Sequence, residues 1–181
     1  MNTIAIFVGN SDKTSGNTKQ RVIKCAGQFV LLDFVREKKL SVPAETSYCI
    51  AERGKPFLKD SPIHFNVSHS GKYWVCAMSL VPVGIDIQEH IPGRNVKAIA
   101  DRFFTTREAD FLFADGYEHF YDIWAAKESY VKLTGTGIAD SFDKFSVVGK
   151  LPGHGKMIML DEAYSCCLCS EKEFDYIVIR E

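Results

Sequence analysis

The sequence carries almost no net charge: 22 Lys and Arg stand against 23 Asp and Glu, leaving −1 at pH 7. A chain without a global basic field does not attract nucleic acid or anionic lipid over its whole surface, so any anion site must be local. No apolar run approaches the ~18 residues a membrane span needs. No low-complexity segment is present. The six cysteines, Cys25, Cys49, Cys76, Cys166, Cys167 and Cys169, contain no C-x-x-C pair. No His stands at zinc spacing from 166–169, and on a strand those three thiols would alternate faces. Cys25, Cys49 and Cys76 sit among apolar or small neighbours, as buried free thiols do. Nothing basic precedes the short apolar stretch 4–8, which therefore reads as a first strand and not as a signal peptide. The expectation is a cytoplasmic protein with reduced thiols, and with neither nucleic acid nor membrane as a partner.

What is present is ordinary for a globular chain: 181 residues, 46% hydrophobic and 25% charged. That length supports one substantial domain or two small halves sharing a core. Apolar residues at helical spacing (Val22, Ala26, Phe29, Val30, Phe34) predict a helix over 19–39, closed by Pro43. Short strands are predicted at 47–51, 63–68, 73–80 and 83–88. Beyond Pro92-Gly93, a short helical turn is predicted over 98–104. Thr105-Thr106-Arg107-Glu108 matches a capping box opening a further helix. A long helix follows from 117 to 134 and stops at Gly135. Strands are predicted at 145–148, 157–160, 164–168 and 175–180. Both halves read as helix followed by antiparallel strands. The predicted architecture is α+β, two similar halves (1–90 and 91–181) related by a pseudo-twofold, with the site where they meet.

The long helix carries Trp124, Glu128 and Lys132, each four apart and so on one face, with Lys127 bordering it. A carboxylate beside an ammonium, backed by a large ring, suits a metal-bound phosphate; it equally suits an exposed Glu–Lys helix pair. Arg53-Gly54-Lys55-Pro56 is a tight turn with two cations at its rim, either a solvated turn or an anion site where glycine permits close approach. Ser68-His69 at a strand end, before Gly71, offers a hydroxyl and an imidazole to a phosphate. Neighbours on a strand point to opposite faces, so His69 does not readily activate Ser68. Asp86, flanked by Ile85 and Ile87, is either paired or metal-bound, or a solvated residue on an outer face.

Taken in order, R-G-K-P at 53–56, F-N-V-S-H-S-G at 65–71, G-I-D-I at 84–87, R-F-F at 102–104 and W-A-A-K-E-S-Y-V-K at 124–132 resemble the 4′-phosphopantetheinyl transferases of the surfactin-synthetase-activating (Sfp) type. The resemblance implies an enzyme that moves the phosphopantetheine arm of coenzyme A onto a serine of an apo acyl or peptidyl carrier protein, releasing adenosine 3′,5′-bisphosphate. It implies a magnesium ion held by Asp86 and Glu128, Glu128 as proton acceptor, and Lys132 on the phosphoryl oxygens, with Lys127 a second candidate. It implies Ser68 and His69 at the 3′-phosphate, Arg53 to Pro56 around the adenine with Lys55 reaching a phosphate, and a monomer. Trp124 is read as packing. Two departures stand out. The family pattern has Asp-x-Glu where this chain has Asp86-Ile87-Gln88, so the third metal position holds a neutral amide, and weaker Mg2+ binding with a shift toward Mn2+ is expected. The basic segment before the first helix is short, with Lys13, Lys19, Arg21 and Lys24, so poorer discrimination against dephospho-coenzyme A is expected. Fatty-acid, polyketide and nonribosomal-peptide carriers are not distinguished.

Overall fold

The computed structural model describes residues 2–12, 17–39, 47–52, 54–137, 142–151 and 153–181. The first half contributes β1 (Asn2–Asn10), α1 (Thr18–Phe29), a short α2 (Asp33–Arg36), β2 (Ser47–Ile50), β3 (Pro56–Lys59), β4 (His64–Ser70), β5 (Tyr73–Ser79) and β6 (Val83–Glu89). The second contributes α3 (Val96–Phe103), α4 (Thr106–Ala114), α5 (Phe120–Thr134), a 3-10 turn (Phe142–Lys144), β7 (His154–Met157), β8 (Tyr164–Ser170) and β9 (Phe174–Arg180). The α+β expectation holds.

Strand alternation explains the layers. On β1, Ala5 and Phe7 face α1, where Val22, Cys25, Ala26 and Phe29 meet them. Ile4, Ile6 and Val8 face the other way, onto Ile85 and Ile87 of β6 and Leu168 of β8. The four-stranded sheet β4-β5-β1-β9 thus packs on the three-stranded sheet β6-β8-β7. On the far side of the second sheet, Cys167 and Cys169 meet Ala125, Ala126 and Leu133 of α5. Each fully buried Phe in this stack, such as Phe7 or Phe174, contributes about 2 kcal/mol. All pairings are antiparallel except β1 with β9. That parallel contact brings a strand from the end of the chain beside the first one, while β6 joins strands from the second half.

Three local expectations differ. The predicted 19–39 helix breaks after Phe29: Leu32 is extended and caps α2 with no side-chain hydrogen bond. Residues 145–148 do not form a strand; the Phe145 carbonyl accepts from the Lys127 ammonium, and the Val147 N–H donates to the Glu108 carboxylate. Side chains there take the place of a partner strand. The predicted strand at 157–160 lies earlier, as β7 over 154–157. Pro43 lies outside the described residues. The capping box forms as expected, with Thr105 and Glu108 bonding reciprocally.

Candidate functional site

The site grows from the junction of β4, β6 and α5. The free edge of β6 is not paired by a strand backbone. Alternate side chains of β4 serve it instead: Asn66 accepts from the Ile85 N–H at 3.0 Å, Ser68 from Ile87 at 3.4 Å and Ser70 from Glu89 at 2.9 Å. Residues two apart on a strand share a face, so N-x-S-x-S is the spacing this edge requires. Across β6, Gly84 lets α5 come close. A Cβ there would stand 2.1 Å from the Ser129 carbonyl and 2.6 Å from the Leu133 nitrogen. Helix and strand are therefore in backbone contact where the polar cluster sits.

Asp86 is 1% exposed and points toward α5. One carboxylate oxygen receives the Lys132 ammonium at 2.5 Å and the Ser68 hydroxyl at 2.7 Å. The other accepts from the Gln88 amide at 2.8 Å. Lys132 also donates to the Ser68 hydroxyl at 3.1 Å and pairs with Glu128 at 3.8 Å. Glu128 accepts from the Trp124 indole N–H at 2.7 Å. Burial, then the neighbouring Asp86, pushes the Glu128 carboxyl up to about 7, against the opposing pull of Lys132 and Trp124. One lysine thus serves two crowded carboxylates.

A cavity of about 380 Å³ opens beside this cluster, lined by Glu128, Val131 and Lys132 of α5, by Asn66 and Val67 of β4, and by Gly54, Lys55 and Pro56. The Lys55 ammonium donates to the Leu133 carbonyl at 2.9 Å, and burial pulls its pKa down. Asp86, Gln88, Ser68, Glu128 and Lys132 are thus brought together, and Gly54, Lys55 and Pro56 face them across the cavity. Arg53 lies outside the described residues.

Two sequence-predicted residues are not brought in. Lys127 is 0% exposed on another face of α5, paired with the equally buried Glu108 at 2.8 Å and ringed by Phe104, Phe142 and Phe145. It holds the helix to the 142–148 segment and has no free N–H to give a phosphate, so its reading as a phosphate ligand is withdrawn. His69 is exposed on the face of β4 opposite Ser68 and does not line the cavity. Of the N-terminal cations, Arg21 is buried, its guanidinium 3.9 Å from the Trp74 ring, and Lys24 pairs with Glu181. Trp124 is more than packing: its N–H orients Glu128. The four-residue spacing that put both on one face was the available signal.

Among the described residues no three His, Cys, Asp or Glu gather as a metal-ligand group, and no helix is long and apolar enough to cross a membrane. The six thiols are free, five of them buried.

Two carboxylates, Asp86 and Glu128, and one lysine, Lys132, thus stand beside a cleft between a sheet edge and a helix. The model of the 4′-phosphopantetheinyl transferase superfamily matches residues 82–179, more than half of the chain. The chain is 40% identical over 129 residues to a 4′-phosphopantetheinyl transferase of Bacillus subtilis, covering 68% of this chain and 57% of that protein. It is 38% identical over 138 residues to 4′-phosphopantetheinyl transferase Sfp of Bacillus subtilis strain 168, covering 73% and 60%. It is 34% identical over 162 residues to 4′-phosphopantetheinyl transferase psf-1 of Bacillus pumilus, covering 79% and 69%. The chain belongs to the 4′-phosphopantetheinyl transferase superfamily. It spans less than two thirds of the length of the first two of these relatives.

Proposed function

We propose that this chain transfers the 4′-phosphopantetheine arm of coenzyme A to the hydroxyl of a serine on an apo acyl or peptidyl carrier protein, with release of adenosine 3′,5′-bisphosphate. The observation that carries the reading is the Asp86–Lys132–Glu128 cluster at the edge of a cavity between the two halves. Family membership supplies the reaction class.

The donor set fits a hard divalent cation such as Mg2+. Asp86 and Glu128 both offer carboxylate oxygens around the one Lys132 ammonium, at 2.5 Å and 3.8 Å from it. Bound there, the ion would spread the charge on the pyrophosphate. Asp86 and Glu128 would hold it, and the Gln88 amide, donating to Asp86, would orient that ligand. Glu128, ionising near neutral pH, accepts the proton of the incoming serine. Lys132 stabilises the phosphoryl oxygens as the serine oxygen bonds to phosphorus and the bond to the departing nucleotide phosphate breaks. Gly54, Lys55 and Pro56 form the cavity wall against which the coenzyme A nucleotide would lie.

The test is mass spectrometry of an apo carrier protein after incubation with this protein, coenzyme A and Mg2+. The expected result is a gain of one phosphopantetheine arm, absent without metal. Release of a nucleotide from coenzyme A with no carrier present, and no gain on any carrier type, would overturn the reading in favour of hydrolysis.

A further inference from the structure

The turn between β2 and β3 reaches α5 through the Lys55 side chain. The Ala51 N–H donates to the Lys55 carbonyl and the Gly54 N–H to the Ala51 carbonyl, so the turn is closed on itself. Lys55 leaves this turn and crosses to the end of α5. Gly135 ends that helix in the left-handed region (φ 72°), and the lysine stem passes beside it, Cδ at ordinary contact distance (3.8 Å) from where a Cβ would stand. The ammonium then meets the Leu133 carbonyl at 2.9 Å. Carbonyls of a last helical turn lack intrahelical partners and carry the negative end of the helix dipole, so a cation there is doubly favoured.

Leu133 follows Lys132 directly, and Glu128 lies just over one turn earlier. We propose that Lys55 is a positioning residue: by capping α5 from the opposite wall of the cavity it fixes the helix end against β6, and so fixes where Lys132 and Glu128 stand. This assigns the Lys55 ammonium to the helix carbonyl instead of to a bound phosphate. The kinetic consequence rests on the transferase reading; the structural one does not.

The test uses the full chain with Lys55→Met and Lys55→Arg. Hydrogen exchange of the ligand-free protein is the first readout. Amides of 132–135 are expected to exchange about fivefold faster in Lys55→Met, as loss of one hydrogen bond worth about 1 kcal/mol implies. The β1 and β5 amides should stay unchanged, and Lys55→Arg should restore protection because a guanidinium also donates to a carbonyl. The second readout is the split between kcat and KM for coenzyme A. Positioning lowers kcat in Lys55→Met by more than any change in KM, since Lys55 also lines the cavity, and Lys55→Arg recovers kcat. Unchanged exchange at 132–135, a change spread over the whole sheet, or a raised KM with unaltered kcat would each overturn the proposal. If the wild type transfers nothing, the transferase reading fails while the exchange readout still decides the role of Lys55.

Discussion

Trp124 and Glu128 set the pH response at the residue scale. The indole N–H favours the ionised carboxylate, whereas burial and Asp86 oppose it. In Trp124→Phe the carboxyl should rise further above about 7. The acidic limb of the rate–pH profile then moves to higher pH. Loss of about 1 kcal/mol predicts a rate at pH 7 lowered about threefold, with little change on the alkaline plateau. An equal loss at all pH values would show that the ring only packs. Glu128 also bears on stability. Its raised pKa means the folded state keeps a proton that the unfolded chain loses above the ordinary value of 4.5. That contribution is full below 4.5 and is lost as pH rises through about 7. In metal-free protein, Glu128→Gln should therefore match wild type at pH 4 and exceed it by about 3 kcal/mol at pH 8, read from denaturant midpoints. A variant less stable than wild type at pH 8 would contradict the burial argument.

Elements matter through their contacts, and here sequence reading had mixed reach. The α5 stop at Gly135 and the capping box of α4 were legible because local chemistry fixes them. The one-faced placement of Glu128 and Lys132 was legible from spacing alone. Lys127 was not: position three after Trp124 puts it near that face, but its partner Glu108 lies on another helix and was already explained as a cap residue. Residues 145–148 misled for the same reason, since buried Lys127 and Glu108 hold that backbone, and tertiary partners do not show in a local pattern. The helix break after Phe29 likewise carries no Gly or Pro to announce it. Gly84 is the position where element packing is most exposed to test. Gly84→Ala places a methyl inside the α5 backbone and should cost about 3 kcal/mol while separating Lys132 from Asp86. A stable variant with wild-type thermal midpoint would show that α5 does not sit as close as this.

At the scale of the molecule, the two halves exchange strands: β9 pairs with β1, and β6 pairs with β8. The cores on either side of the sheet pair therefore share walls, and the two halves are expected to unfold together. The two tryptophans stand in different cores, Trp74 against α1 and Trp124 among the α3–α5 aromatics. Single-tryptophan variants, Trp74→Phe and Trp124→Phe, should each show one denaturant transition, with midpoints that coincide with their own far-UV transitions. A tryptophan midpoint well apart from the far-UV one would mean the halves are separable. The same shared wall is what places Asp86 from one half against Glu128 and Lys132 from the other.

The proposed transfer depends on this cluster of Asp86, Glu128 and Lys132. Its most direct measurement is the rate of carrier modification by Glu128→Gln against wild type, at saturating coenzyme A and Mg2+. Loss of the proton acceptor should lower the rate by about 10²–10⁴-fold while the fold and coenzyme A binding persist. A variant that modifies the carrier at the wild-type rate would contradict the account and move the chemistry away from α5.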